Sequence, residues 1–94
     1  MVRAVWNGKV IAESDCCEFI EGNYYFPPES IDMKFLRKSK TCTFCPSKGT
    51  AKYYNLIVSG ETKKDAAWYY TNPKPEISII KNHITFWKRI NIEV

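Results

Sequence analysis

The stretch CPSKGTAKYYNLIVSGETKKDAAWYY, residues 45–70, decides the fold. Ser59-Gly60 separates two runs rich in β-branched and aromatic residues, and glycine supplies the positive φ a tight turn needs, so the stretch is predicted to form a β-hairpin. With a two-residue loop Val58 pairs with Glu61, and counting back sets Leu56 opposite Lys63, Tyr54 opposite Asp65 and Tyr53 opposite Ala66. The same count sets Lys52 opposite Ala67, Ala51 opposite Trp68 and Gly49 opposite Tyr70. Large side chains then meet small ones on the face carrying Tyr53, Trp68 and Tyr70, as rings lying over a sheet require. The opposite face is mixed, which suits partial exposure.

Further short elements surround this hairpin. Val2, Ala4 and Trp6 alternate with Arg3 and Val5 as a first strand, Asn7-Gly8 is a strong hairpin turn, and Lys9 to Glu13 returns. Cys16 to Glu21 reads as a third strand, turned at Gly22-Asn23 into Tyr24 to Phe26, which Pro27-Pro28 ends. Pro28 to Ile31 fits one helical turn. Met33 to Leu36 reads as a strand and the polar, basic residues 37–42 as a loop. Beyond the breaker Thr71-Asn72-Pro73-Lys74-Pro75, the isoleucines suggest a short helix at about 75–82 and a strand at about 84–88. Short strands with Gly- and Pro-rich turns and one helix define a small, mainly β (β-rich α+β) single domain.

The chain has 94 residues, enough for one core, and 45% hydrophobic composition, so it is a single globular domain over 1–94. No apolar run approaches the roughly 20 residues that span a bilayer, and the first residues, MVRAVWNGKV, lack a signal-peptide core. A cytoplasmic protein with reduced cysteines and no membrane role is expected. Fourteen Lys plus Arg against ten Asp plus Glu give a net charge of +4. The excess gathers at Lys34, Arg37, Lys38, Lys40, Lys48 and Lys52, near Tyr53 and Tyr54, a strip that could hold phosphates and stack bases. A solvated charged face is the commoner explanation of such a run, so nucleic acid is not an expected partner.

Cys42-Thr43-Phe44-Cys45 is a single CxxC motif. Zinc would need Cys16, Cys17 or His83 to complete four ligands, and adjacent cysteines on a strand point to opposite faces. No metal and no cofactor are expected. A thioredoxin-type pair would need a helix where a strand follows. Cys45 is the catalytic candidate, because Lys48 nearby favours a thiolate, although His83 is the one available imidazole base. Lys48-Gly49 lacks the rest of a Walker phosphate loop. Glu21, Asp65 and Arg3 are charges beside aromatic strands, where rim ion pairs are common. Tyr25, Tyr53, Trp68 and Tyr70 are core residues first and pocket walls second.

The motifs VRAVWNG at 2–8, EGNYYFPP at 21–28, CPSKGTAKYY at 45–54, DAAWYY at 65–70 and FWK at 86–88 together resemble the small bacterial-type family known as domain of unknown function 427. The resemblance spans essentially the whole chain. It implies a β-tent-like fold, with strands around an aromatic-lined hollow and one short C-terminal helix, and it implies no established reaction. The family has also carried a nucleotidyltransferase-like label, whose Gly-Ser and paired-aspartate signature this chain lacks. Glu21, Tyr25, Cys45, Lys48, Gly49, Tyr53 and Trp68 match the family pattern, whereas Tyr24 stands where many members have His and Ser47 where many have an aromatic residue. Cys16, Cys17 and Cys42 fall outside that pattern.

Hairpin and resemblance together point to a small-ligand-binding domain whose pocket is lined by Tyr25, Tyr53, Trp68 and Tyr70, with Cys45, Lys48 and Glu21 at its polar end. There Lys48 attracts an anionic group and Glu21 orients a donor. The alternatives are an enzyme acting through Cys45, and an adaptor that binds nucleic acid or protein through the basic strip. An unpaired sheet edge also offers a route to a homodimer.

Overall fold

A computed structural model describes residues 1–94 as a mainly β domain of three small antiparallel sheets. β1 (Val2–Trp6) and β2 (Lys9–Ser14) form the expected first hairpin. Asn7 and Gly8 take positive φ of 50° and 78°, the geometry that lets a two-residue turn follow the strand twist. The Asn7 side-chain amide donates to Val58 O at 3.0 Å, tying this tip to the central hairpin.

β3 (Glu18–Ile20) and β4 (Asn23–Tyr25) form the second hairpin. Its turn is Glu21-Gly22, one residue earlier than expected, because those two residues are the pair with positive φ, at 51° and 84°. The shift places Glu21 on a loop rather than at a strand end. Proline at the start makes Pro28–Ser30 the single turn anticipated, in 3-10 form.

The strand expected at Met33 to Leu36 is instead a 3-10 turn over Met33–Phe35, with the Asp32 carboxylate accepting from Lys34 N at 3.3 Å. The loop expected at 37–42 lies inside β5 (Leu36–Cys45). β5 is the edge of a four-stranded sheet with β6 (Gly49–Val58), β7 (Glu61–Tyr70) and β8 (Thr85–Phe86). An edge strand held by its ladder needs no hydrophobic alternation, so its polar, lysine-rich sequence hid it.

The central hairpin starts in the expected register, with Val58 opposite Glu61 and Leu56 opposite Lys63. Then one residue of β6, Asn55, faces three of β7, Lys64 to Ala66. Asp65 adopts φ of +54° in this bulge, and its N–H donates to the Asn55 side-chain oxygen at 2.9 Å. All partners beyond move by two. Tyr53 faces Trp68, not Ala66; Ala51 faces Tyr70, not Trp68; Tyr54 faces Ala67, not Asp65; Lys52 faces Tyr69, not Ala67; and Gly49 pairs with Cys45 on β5. Large still meets small at Ala51–Tyr70 and Tyr54–Ala67, whereas Tyr53 and Trp68 meet as two rings 6.0 Å apart.

The expected C-terminal helix is two merged 3-10 turns over Pro75–Ile80, broken by non-helical Ile77. One buried anchor, Ile80, cannot sustain a longer amphipathic helix. The following strand is only Thr85–Phe86, and β9 (Asn91–Glu93), not anticipated, closes the first sheet by pairing with β1. No helix is long and apolar enough to cross a membrane.

Two cores result. The larger joins Ala4, Ile11, Phe26, Leu56, Val58 and Phe86 between the first and third sheets. The smaller gathers Tyr25, Ala51, Tyr70 and Ile80. β6 serves both from opposite faces, Leu56 and Val58 on one and Ala51 and Tyr53 on the other, because side chains alternate along a strand.

Candidate functional site

The turn Cys45-Pro46-Ser47-Lys48 joins β5 to β6, and Lys48 N–H donates to Cys45 O at 3.1 Å to close it. Proline presets the second turn position. Gly49 then follows at φ +112°, and Lys48 O accepts from Lys74 N at 3.2 Å, so the 72–74 segment lies against the loop. This path sends the Lys48 side chain inward, where it is only 11% exposed. It is the one charged residue among the buried set.

The Lys48 ammonium pairs with the Glu21 carboxylate. Glu21 reaches it from the solvent side, its side chain 65% exposed, and the positive-φ turn at 21–22 puts it there. The hydrogen bond that Lys48 donates to Glu21 holds the lysine pKa above its usual value, outweighing the opposite effect of burial.

Tyr25 and Tyr70 are buried in the smaller core, and Cys45, Tyr53 and Trp68 pack against it half-buried. All seven expected site residues therefore converge, five in one cluster and two as the ion pair beside it. The lysine's positive charge acts on Tyr25, Tyr70 and Cys45, favouring the ionised form of each. Tyr53 and Trp68 pack ring against ring, 6.0 Å apart. The surface concavities, of about 290 to 700 Å³, lie elsewhere, and among the seven residues only Tyr53 lines one of them.

The Cys45 thiol is lowered from its ordinary pKa first by the Ser47 hydroxyl, at 3.2 Å, then by backbone N–H groups of the turn and by Lys48. Four donors or charges on one half-exposed sulfur favour its thiolate. By contrast, burial raises Cys17. The four cysteines are free, and Cys42, on β5 with Cys45, is exposed. His83 makes a local contact, its Nδ1 lying 3.0 Å from Lys81 O, so no imidazole is seen to serve Cys45.

Ser47 was missed among the expected site residues. Its signal was legible, since a hydroxyl two residues after a cysteine within a Pro turn folds back toward the sulfur. The site's floor residues Ile20, Ile77 and Ile80 carried no chemical signal.

Burial, reinforced by Tyr70, pushes the Tyr25 hydroxyl up to about 12 from 10.0. Between pH 10 and 12 the folded chain keeps this proton while the unfolded chain sheds it. The stability from Tyr25 is therefore complete below about pH 10 and is lost as pH rises through about 12, by about 3 kcal/mol at most. Urea midpoints measured from pH 9 to 12 should fall across this window, and Tyr25→Phe should flatten the fall. Identical pH profiles for the two proteins would contradict the assignment.

No curated protein matches the chain. The family model described as domain of unknown function (DUF427) matches residues 1–94, the whole length, so the chain belongs to that family.

Proposed function

We propose that this domain binds a small anionic ligand at the mouth of the Cys45–Gly49 loop, with Tyr25, Tyr53, Trp68 and Tyr70 as an apolar floor rather than an enclosing hollow. The observation that supports the reading best is the buried Lys48 ammonium, capped by an exposed carboxylate. An ion pair with one largely buried partner is a poor source of stability, because desolvation of that partner offsets the attraction. Its use is in what can exchange. Glu21 comes from the solvent side and its carboxylate has no other bonded partner, so an arriving carboxylate or phosphate can take its place on Lys48 without leaving the lysine unpaired. The aromatic floor then supplies apolar contact to the rest of the ligand.

A second reading, a nucleophilic Cys45, is favoured by the donors around its sulfur. It lacks a base, so ligand binding ranks first.

One experiment addresses both: alkylation of each cysteine, followed by mass spectrometry, with anionic iodoacetate and neutral iodoacetamide. If Lys48 captures anions, Cys45 should favour iodoacetate relative to Cys42, Glu21→Gln should raise that preference several-fold by freeing the ammonium, and Lys48→Gln should abolish it. A preference unchanged in both variants overturns the ligand site. For the second reading, Cys45 should react with the neutral reagent faster than Cys16, Cys17 and Cys42 below pH 8. Equal rates remove it.

A further inference from the structure

We propose that the β5 side of the four-stranded sheet, where the larger core leaves the Lys52 face of β6 uncovered, binds a single-stranded nucleic acid, a second site that meets the anion site above only at Tyr53. Along β6, Thr50, Lys52 and Tyr54 alternate with Ala51 and Tyr53, so they lie opposite the Cys45 cluster. Three concavities of about 700, 290 and 360 Å³ adjoin this face; Lys52 is shared by the first two and Tyr69 by the last two, and the middle one wraps the sheet edge to touch Tyr53. They form one linked trough.

Its chemistry is one-sided. Lys38, Lys40, Lys52 and Lys74 line it, and no aspartate or glutamate does. The ion pairs of the chain use the N-terminal amine, Arg3, Lys34 and Lys48, so these four ammonium groups are unpaired. The acid closest in sequence pairing, Asp65, is already occupied by the hydroxyls of Ser39 and Thr41, at 2.6 and 2.8 Å. Lys48, by contrast, has left the basic strip seen in the sequence for the interior.

Aromatic surface sits among these cations. Phe44 is 68% exposed at the lysine-lined end of the trough, whereas Tyr54 and Tyr69, stacked at 5.1 Å and 27° at the other end, are half-buried against the larger core. Unpaired cations with an uncovered ring fit a ligand that carries regular negative charge and flat apolar faces. Single strands present both, phosphates for lysine and unpaired bases for stacking. A duplex hides its base faces, and an acidic peptide offers charge without a flat partner for Phe44.

The test is fluorescence anisotropy with a labelled deoxythymidine dodecamer, from 50 to 200 mM KCl. Four phosphate contacts predict a log–log salt slope of about −2.8, or about 50-fold weaker binding across that range. The triple variant Lys38→Gln, Lys40→Gln, Lys52→Gln should cut the slope to about −0.7. Phe44→Ala should weaken binding by about 5- to 150-fold at unchanged slope, the loss of one stacked base. All four side chains are exposed, and unchanged thermal unfolding of the variants confirms that the fold is intact. Absence of binding at 50 mM salt up to about 100 μM protein, beyond the weaker non-specific range, overturns the proposal. So does equal or tighter binding of a DNA duplex or of poly-glutamate, or binding that Phe44→Ala leaves intact, since each reduces the trough to a general attraction for polyanions.

Discussion

Phe26→Ala is expected to lower stability by about 3–5 kcal/mol, the usual cost of emptying a fully buried phenylalanine site. Phe26 is completely buried and meets the Phe86 ring edge-on at 5.6 Å and 78°. Its backbone N–H and carbonyl both bond Ile84 at 2.8 Å, so the residue joins the second hairpin to the β8 end of the four-stranded sheet. The void cannot collapse easily, because the backbone on either side is held by those bonds and by the prolines that follow. A chain of this length has roughly 5–14 kcal/mol in total, so a large share of its stability is at stake. Denaturant unfolding checks the value; a loss under about 1.5 kcal/mol would mean the site repacks. The neighbouring residue makes the contrast. Tyr25 points into the smaller core while Phe26 points into the larger, as successive strand residues must. Changes at 25 therefore act on the candidate site and changes at 26 on the whole fold.

Much of this was legible in the sequence, and the misreadings share a cause. Turns announced by Asn7-Gly8 and Ser59-Gly60 were placed correctly because positive φ is a local demand that few residues meet. The Asp65 bulge was hidden, because nothing in Lys64-Asp65-Ala66 marks extra residues until Asn55 is known to face them across the sheet. Bulges are tertiary facts written in a partner strand. β5 was hidden for the opposite reason: its residues are mostly exposed, so burial imposes no alternation. β9 is three residues long and follows a turn, closed by Ile90 N–H on Trp87 O at 2.9 Å, that has neither Gly nor Pro.

That the seven candidate residues would lie together was legible, because the family motifs picked out Glu21, Tyr25, Cys45, Lys48, Tyr53 and Trp68 and the hairpin face added Tyr70. The form of the site was not. Whether four aromatic rings enclose a hollow or fill one depends on the two-residue shift at Asp65, which sets Tyr53 against Trp68 instead of over a small alanine. Ring against ring fills the space from which a pocket would have been made. The polar end depends likewise on a turn one residue from where composition placed it, since Glu21 reaches Lys48 from the loop.

Gly49→Ala is the second large effect expected, and it separates conformational strain from steric overlap. At φ +112° the backbone lies where L residues are rarely found, at a cost of about 1–3 kcal/mol. A Cβ there would also stand 3.1 Å from Asn72 O and 3.8 Å from Pro73 Cα, backbone atoms that can give way only by moving their segment. Gly60→Ala is the control. Its φ of +80° also disfavours alanine, but nothing lies within 4 Å of the added methyl, so it should cost about 1–2 kcal/mol. The overlap should make Gly49→Ala costlier than Gly60→Ala by about 1–2 kcal/mol, relieved in part by pushing the 72–74 segment off the loop. That displacement should lengthen the 3.2 Å bond from Lys74 N to Lys48 O and loosen the Cys45–Gly49 turn. Denaturant melts of the two variants, paired with the alkylation rate of Cys45, distinguish the outcomes. Equal stability losses would show that the neighbouring segment yields freely, whereas an unchanged Cys45 rate despite the larger loss would show that Gly49 serves the fold without shaping the thiol's surroundings.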